Sequence, residues 1–175
     1  TQSDYVGALC TRVKSLTNGI YGSVLCAEDA LSDAEMFDQN VIVDLSRVGS
    51  METKSLLMGI LVMKLQEYRM CSSGMNSRLR HVTVLEEAHN LLRKTSAEQS
   101  QEGANLQGKS VEMLANAIAE MRTYGEGFII ADQAPGLLDM SVIRNTNTKI
   151  ILRLPDEEDR KLVGKSAGLK EAQID

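Results

Sequence analysis

Residues 81–90 read HVTVLEEAHN, and this stretch sets the reading of the chain. Val82, Thr83, Val84 and Leu85 form a short β-branched and aliphatic run, which predicts a buried strand. Glu86 and Glu87 end it, and a helical pattern begins over Ala88–Leu92. Paired acids at such a junction have a plain explanation, since carboxylates in a first helical turn complement its dipole. A strand that carries two adjacent carboxylates to its C-terminal tip also has a chemical one, and the flanking chain decides between them.

Downstream, residues 93–109 (RKTSAEQSQEGANLQGK) shift to Gln, Ser, Glu and Gly and read as a mobile insertion. Ser110–Tyr124 follows as a helix, with Val111, Leu114, Ala115, Ile118 and Met121 on one face and Gly125 and Gly127 closing it. Phe128–Ala131 predicts a second buried strand tipped by Asp132-Gln133 and broken by Ala134-Pro135-Gly136. A helical turn at Ser141–Arg144, a strand at Lys149–Leu154, a helix at Asp156–Val163 and a short helical tail complete the chain.

Upstream, Val41–Leu45 (VIVDL) predicts a strand ending in Asp44 and Ser46. Glu52–Arg69 predicts a long helix whose apolar positions cover most of its circumference, which suits packing between layers. Cys71–Arg80 is a polar loop. In residues 1–22, Val6, Leu9, Cys10 and Val13 suit one side of a helix, and Asn18-Gly19 and Tyr21-Gly22 mark turns. Ser23–Ala27 reads as a short strand and Glu28–Asp38 as an acidic connection or short helix. Strands and helices alternate from residue 41 onward, so the expected fold class is α/β, a mostly parallel sheet with helices on both faces. The expected division is a connecting segment over 1–40 and the α/β unit over 41–175.

Composition narrows the function classes. The formal charge of −5 supplies no general basic field for nucleic acid. Positive charge confined to particular loops would still allow contact with nucleic acid. Three cysteines without metal spacing point to reduced thiols and a cytoplasmic setting. The longest apolar run, Leu56–Met63, is too short to span a bilayer, so no membrane insertion is expected. The chain opens on TQSD rather than Met, which suggests a fragment of a longer protein.

Three predicted strand tips would share one sheet edge: Asp44-Leu45-Ser46, Glu86-Glu87 and Asp132-Gln133. Ligands of open α/β sheets bind beyond the C-terminal strand ends. Two acids there match a Walker B motif, in which one carboxylate holds the Mg²⁺ shell and the next polarises the water that attacks a γ-phosphate. Gln133 can hold that water or touch the γ-phosphate. Arg122, in EMRTYG, is either a cation complementing its helix C-terminus or an arginine finger reaching a neighbouring subunit. Arg144 and Arg153 are lesser candidates for contact with the nucleotide. His89 could link the site to DNA-facing loops, although a His at a helix start more often packs.

Gly103–Ser110, GANLQGKS, has the letters of a phosphate-binding P-loop. It follows a polar run rather than a buried strand, and it lies after the paired acids instead of before them, so it reads as a chance match, while remaining the main competing placement of a phosphate site.

From Val41 to about Leu169 the chain resembles the HerA–FtsK superfamily of P-loop motor ATPases, closest to HerA-like helicase and translocase domains and related conjugative type IV secretion ATPases. The segments that carry the resemblance are VIVDLS, HVTVLEEAHNLL, AIAEMRTYGEGFIIADQAP and LLDMSVIRNTNTKIILRLPDEEDRKLVG. It implies a RecA-like ATPase core binding ATP and Mg²⁺. Glu86 would be the Mg²⁺-side acid, Glu87 the catalytic glutamate, Gln133 the sensor and Arg122 the trans-acting arginine. It further implies a homo-hexameric ring that moves double-stranded DNA, with a nuclease or secretion partner. Two departures qualify this. Glu86 stands where many members carry Asp, and the family's P-loop would lie upstream of every segment here, so the fold is expected to be incomplete and to bind nucleotide poorly by itself. The alternatives from other classes are a non-catalytic interaction module that kept the motor fold and a receiver-like phosphoacceptor. The first sits badly with Glu87, Gln133 and Arg122 occurring together, and the second lacks a convincing acidic cluster and Lys.

Overall fold

The computed structural model describes residues 2–94 and 101–174. The chain divides into two compact units, Thr1–Gln39 and Asn40–Asp175.

The first unit contains α1 (Gln2–Leu16), α2 (Gly19–Leu25) and α3 (Asp33–Phe37). The strand expected at Ser23–Ala27 is instead the end of α2. Helical bonds bind Gly22 N–H to Asn18 O and Cys26 N–H to Gly22 O. Gly22 permits this close turn, because a Cβ there would stand 2.2 Å from the Thr17 carbonyl oxygen. α3 opens on a capping box in which the Ser32 hydroxyl accepts from Glu35 N–H and the Glu35 carboxylate accepts from Ser32 N–H.

The second unit is mixed α/β. α4 (Met51–Ser72) leads to β1 (His81–Glu86), α5 (Gln101–Met121) crosses to β2 (Glu126–Ala131), and α6 (Met140–Asn145), α7 (Glu157–Ser166) and α8 (Glu171–Ile174) follow. β1 and β2 pair in parallel, from His81 opposite Glu126 to Glu86 opposite Ala131. Gly125 makes the turn into β2 at φ +84°, where an added Cβ would meet Arg78 O at 2.4 Å. α4 lies over the face that carries His81 and Thr83, since its Arg69 reaches Glu126 there. Gln66 of α4 also donates to Glu120 of α5 at 3.1 Å.

Several expectations need correction. Among the described residues the sheet has two strands rather than many. Val41–Leu45 and Lys149–Leu154 have strand composition but make no ladder, and Ile42 and Ile150 are almost wholly exposed. Strand propensity measures fit to a half-buried pleated surface, and neither segment meets such a surface here. Nor are both faces covered, because Val82, Val84 and Ile129 share a face and are exposed. α4 is one-sided as well: Val62 and Leu65 are buried while Leu56 and Ile60 are exposed.

The segment 93–109 is not one loop. Arg93 forms an isolated antiparallel bridge with Leu138, and Lys94 N–H donates to Leu137 O at 2.9 Å. Residues 95–100 lie outside the described residues, and from Gln101 onward the chain is helical. Gln, Glu, Ala, Leu and Lys are good helix formers, so the composition that suggested a loop also suits the first turns of α5.

Candidate functional site

The site forms where β1 and β2 end together. Glu87, directly after β1, adopts φ 50° and ψ 49°, a left-handed conformation rare for a side-chain-bearing residue. It turns the chain sharply into a short 3₁₀ helix, Ala88–Asn90. The turn is fastened at Glu87 O, which accepts from Asn90 N–H and from the Asn90 side-chain amide, both at 2.9 Å. A left-handed residue of this kind costs on the order of 1–3 kcal/mol and persists only where the surroundings hold it.

Beyond β2, Gln133 Nε2 donates to Glu87 Oε1 at 2.7 Å, joining residues that stand 46 apart in the chain. Asp132 is nearly buried. Its Oδ1 accepts from Ala134 N–H at 2.9 Å, and its Oδ2 accepts from His89 N–H at 2.8 Å. His89 Nδ1 lies 3.0 Å from the same Oδ2 and 3.5 Å from Glu87 Oε2. Facing carboxylates that only accept, Nδ1 is assigned the imidazole proton, which leaves Nε2 as the lone-pair nitrogen of the neutral ring.

The expected site residues are distributed as follows. Glu87 and Gln133 come together. Glu86 ends β1 on the exposed face shared with Val82 and Val84, and its carboxylate has no partner among the described residues. Arg122 begins the 3₁₀ turn before β2, so the length of that strand, roughly 17 Å, separates it from Gln133. Arg144 ends α6, and Arg153 lies in the extended segment before α7. All three arginines line a groove of about 1180 Å³ that runs beside β2 and has Asp132 and Gln133 among its walls.

The third tip is not shared. The Asp44 carboxylate turns back onto Ser46, whose backbone N–H donates at 2.8 Å; that bond, with help from the hydroxyl, holds the Asp44 carboxyl below its ordinary range. Gly103–Ser110 lies inside α5 rather than in a loop between a strand and a helix, and past the first turn of α5 its backbone N–H groups are spent on the helix.

Sequence reasoning singled out His89 without its anchor and placed Asp132 at a strand tip without a task. Their pairing follows from a tight turn after β1, which brings His89 back toward the tip of β2. The nearest sequence signal is the polar pair Asp132-Gln133 itself.

Comparison with known protein families, curated protein sequences and solved structures returns no match to this chain.

Proposed function

We propose that this chain carries the hydrolytic part of an ATP-driven motor that moves double-stranded DNA, working as a homo-hexameric ring in the cytoplasm. The observation that carries the reading is the hydrogen bond from Gln133 to Glu87, which holds a carboxylate and an amide side by side at the C-terminal tips of two parallel strands. That edge is where open α/β sheets receive ligands.

The donor set suits ATP with Mg²⁺. Glu86 offers an exposed carboxylate without a protein partner to the ion's water shell, and Arg144 and Arg153 supply cations along the groove beside β2, whose walls include Gln133. Bound there, the nucleotide would contribute the γ-phosphoryl group and Mg²⁺ would neutralise its charge. Glu87 accepts the proton of the attacking water, and Gln133 fixes the direction of the Glu87 carboxylate. Arg122 stands at the far end of β2 from this pair, and the reading assigns it to the site of a neighbouring subunit in a ring.

The test is ATP turnover by the full-length protein with and without double-stranded DNA. Glu87→Gln should lower turnover by about 10²–10⁴-fold, the usual worth of a general base. Arg122→Ala should lower it by about 10³-fold or more. Mixing the two variants should restore a fraction of the activity, because some interfaces then pair an intact Glu87 with an intact Arg122. An assembled, nucleotide-bound protein whose turnover is absent, or is unchanged by Glu87→Gln, would leave a non-catalytic module with a motor-like sequence.

A further inference from the structure

We infer that Glu87, His89 and Asp132 form a binding site for one divalent transition-metal ion, an inference that does not depend on the ATPase reading. Each residue offers one ligand atom, and the three atoms lie within 4.8 Å of one another. An ion about 2.1 Å from its ligands holds neighbouring ligand atoms about 3.0 Å apart at right angles and about 3.4 Å apart at tetrahedral angles. The separations found from His89 Nδ1 are 3.0 Å to Asp132 Oδ2 and 3.5 Å to Glu87 Oε2.

Two further features favour a cation. Groups outside the ligand set aim the carboxylates: Gln133 Nε2 holds Glu87 Oε1, and Ala134 N–H holds Asp132 Oδ1, so Oε2 and Oδ2 remain on the His89 side. Outer hydrogen bonds of this kind orient metal ligands. The charge of the cluster also favours a cation. Asp132 is nearly buried, and the His89 imidazole is the ring that faces both carboxylates, at 3.0 Å from Asp132 Oδ2 and 3.5 Å from Glu87 Oε2. Buried carboxylates are ordinarily paired or bound to metal.

One imidazole nitrogen with two carboxylate oxygens selects Zn²⁺, Mn²⁺, Fe²⁺ or Co²⁺ over Mg²⁺ and Ca²⁺, which prefer all-oxygen shells. Binding moves the imidazole proton from Nδ1 to Nε2 through solvent, so the neutral ring ligates without a change of charge. The partly open side of Glu87 admits water to the remaining positions. An ion on Oε2 would also occupy the carboxylate that the ATPase reading uses as a base, so metal occupancy and hydrolysis would exclude each other.

The exposed thiols of Cys10, Cys26 and Cys71 also bind soft metals, so the test uses the protein with all three changed to Ser. Co²⁺ is titrated into the metal-free protein without nucleotide and followed by visible absorption and calorimetry. One equivalent should bind, and a large excess of Mg²⁺ should not displace it. His89→Gln and Glu87→Gln should each weaken binding at least about tenfold, a loss that even outer partners of a ligand produce. Glu87 is partly exposed, so the Glu87→Gln variant should keep its far-UV circular dichroism even if a change at Asp132 prevents folding. Absent binding, or binding unchanged in both variants, would overturn the inference. ATP turnover enters neither outcome, so the two readings fail separately.

Discussion

Glu126 shows how much a single side chain carries here. It is 1% exposed, and both of its oxygens are engaged: Oε2 accepts from Arg69 Nε at 2.8 Å, and Oε1 lies 2.8 Å from His81 Nδ1 and accepts from Thr83 Oγ1 at 2.7 Å. Arg69 is itself 2% exposed, so α4 is bolted to the sheet through a desolvated charge pair. Replacing Glu126 removes the carboxylate that faces the buried Arg69 guanidinium, whereas replacing Arg69 still leaves Glu126 its bonds to His81 and Thr83. Glu126→Leu should therefore cost about 3–5 kcal/mol, while Arg69→Met combined with Glu126→Leu should cost clearly less than Glu126→Leu alone. Urea midpoints with an unchanged m-value would measure both; a loss below about 1 kcal/mol in the single variant would contradict the role. None of this was legible in the sequence. Glu126 stands between two glycines that read as turn punctuation, and its partner lies 57 residues away. Glu87 and Gln133 were legible because a strand pattern fixes which residue occupies its tip, whereas the link from His89 to Asp132 depends on a left-handed turn that no periodicity reports.

At the scale of elements, helices were easier to read than strands because a helix satisfies its own backbone. α4, α7 and most of α5 follow from apolar spacing and flanking caps, as where Asp156 accepts from Asp159 N–H at the start of α7. α3 makes the point through electrostatics. The hydroxyl of Ser32, and then its backbone N–H, hold the Glu35 carboxyl below its ordinary value of 4.5. A carboxyl lowered by folding adds stability that is present above its unfolded value and is lost as pH falls through the folded one. The α3 cap should therefore weaken on acidification from about pH 5 downward. Ser32→Ala should move the Glu35 titration upward, toward an ordinary carboxyl, and make the helicity of α3 less dependent on pH. Carbon-detected NMR titration of Glu35 would follow both effects, and an unshifted midpoint in the variant would remove the capping box from the account.

For the molecule as a whole, a parallel strand needs a partner that sequence alone does not supply. Of the five segments read as strands, two, β1 and β2, pair among the described residues. They share a long crossover, α5, that brings them side by side. Val41–Leu45 and Lys149–Leu154 remain extended, and Ile42, Ile150 and Leu152 stand open to solvent at 94%, 88% and 82%. The segment 149–154 and β2 line the same groove without sharing a ladder. Backbone amides without partners exchange with solvent at nearly open-chain rates, whereas amides in a packed ladder exchange only through opening. Hydrogen exchange on the isolated chain should therefore show fast exchange over 41–45 and 149–154 beside slow exchange over Thr83–Leu85 and Phe128–Ile130. If 149–154 becomes protected when the protein assembles, an added strand has paired in the groove, and the apolar faces left open here are the surfaces on which the sheet is completed. Protection already present in the isolated chain would instead mean that these segments pair within it, and the two-stranded description would have to be replaced.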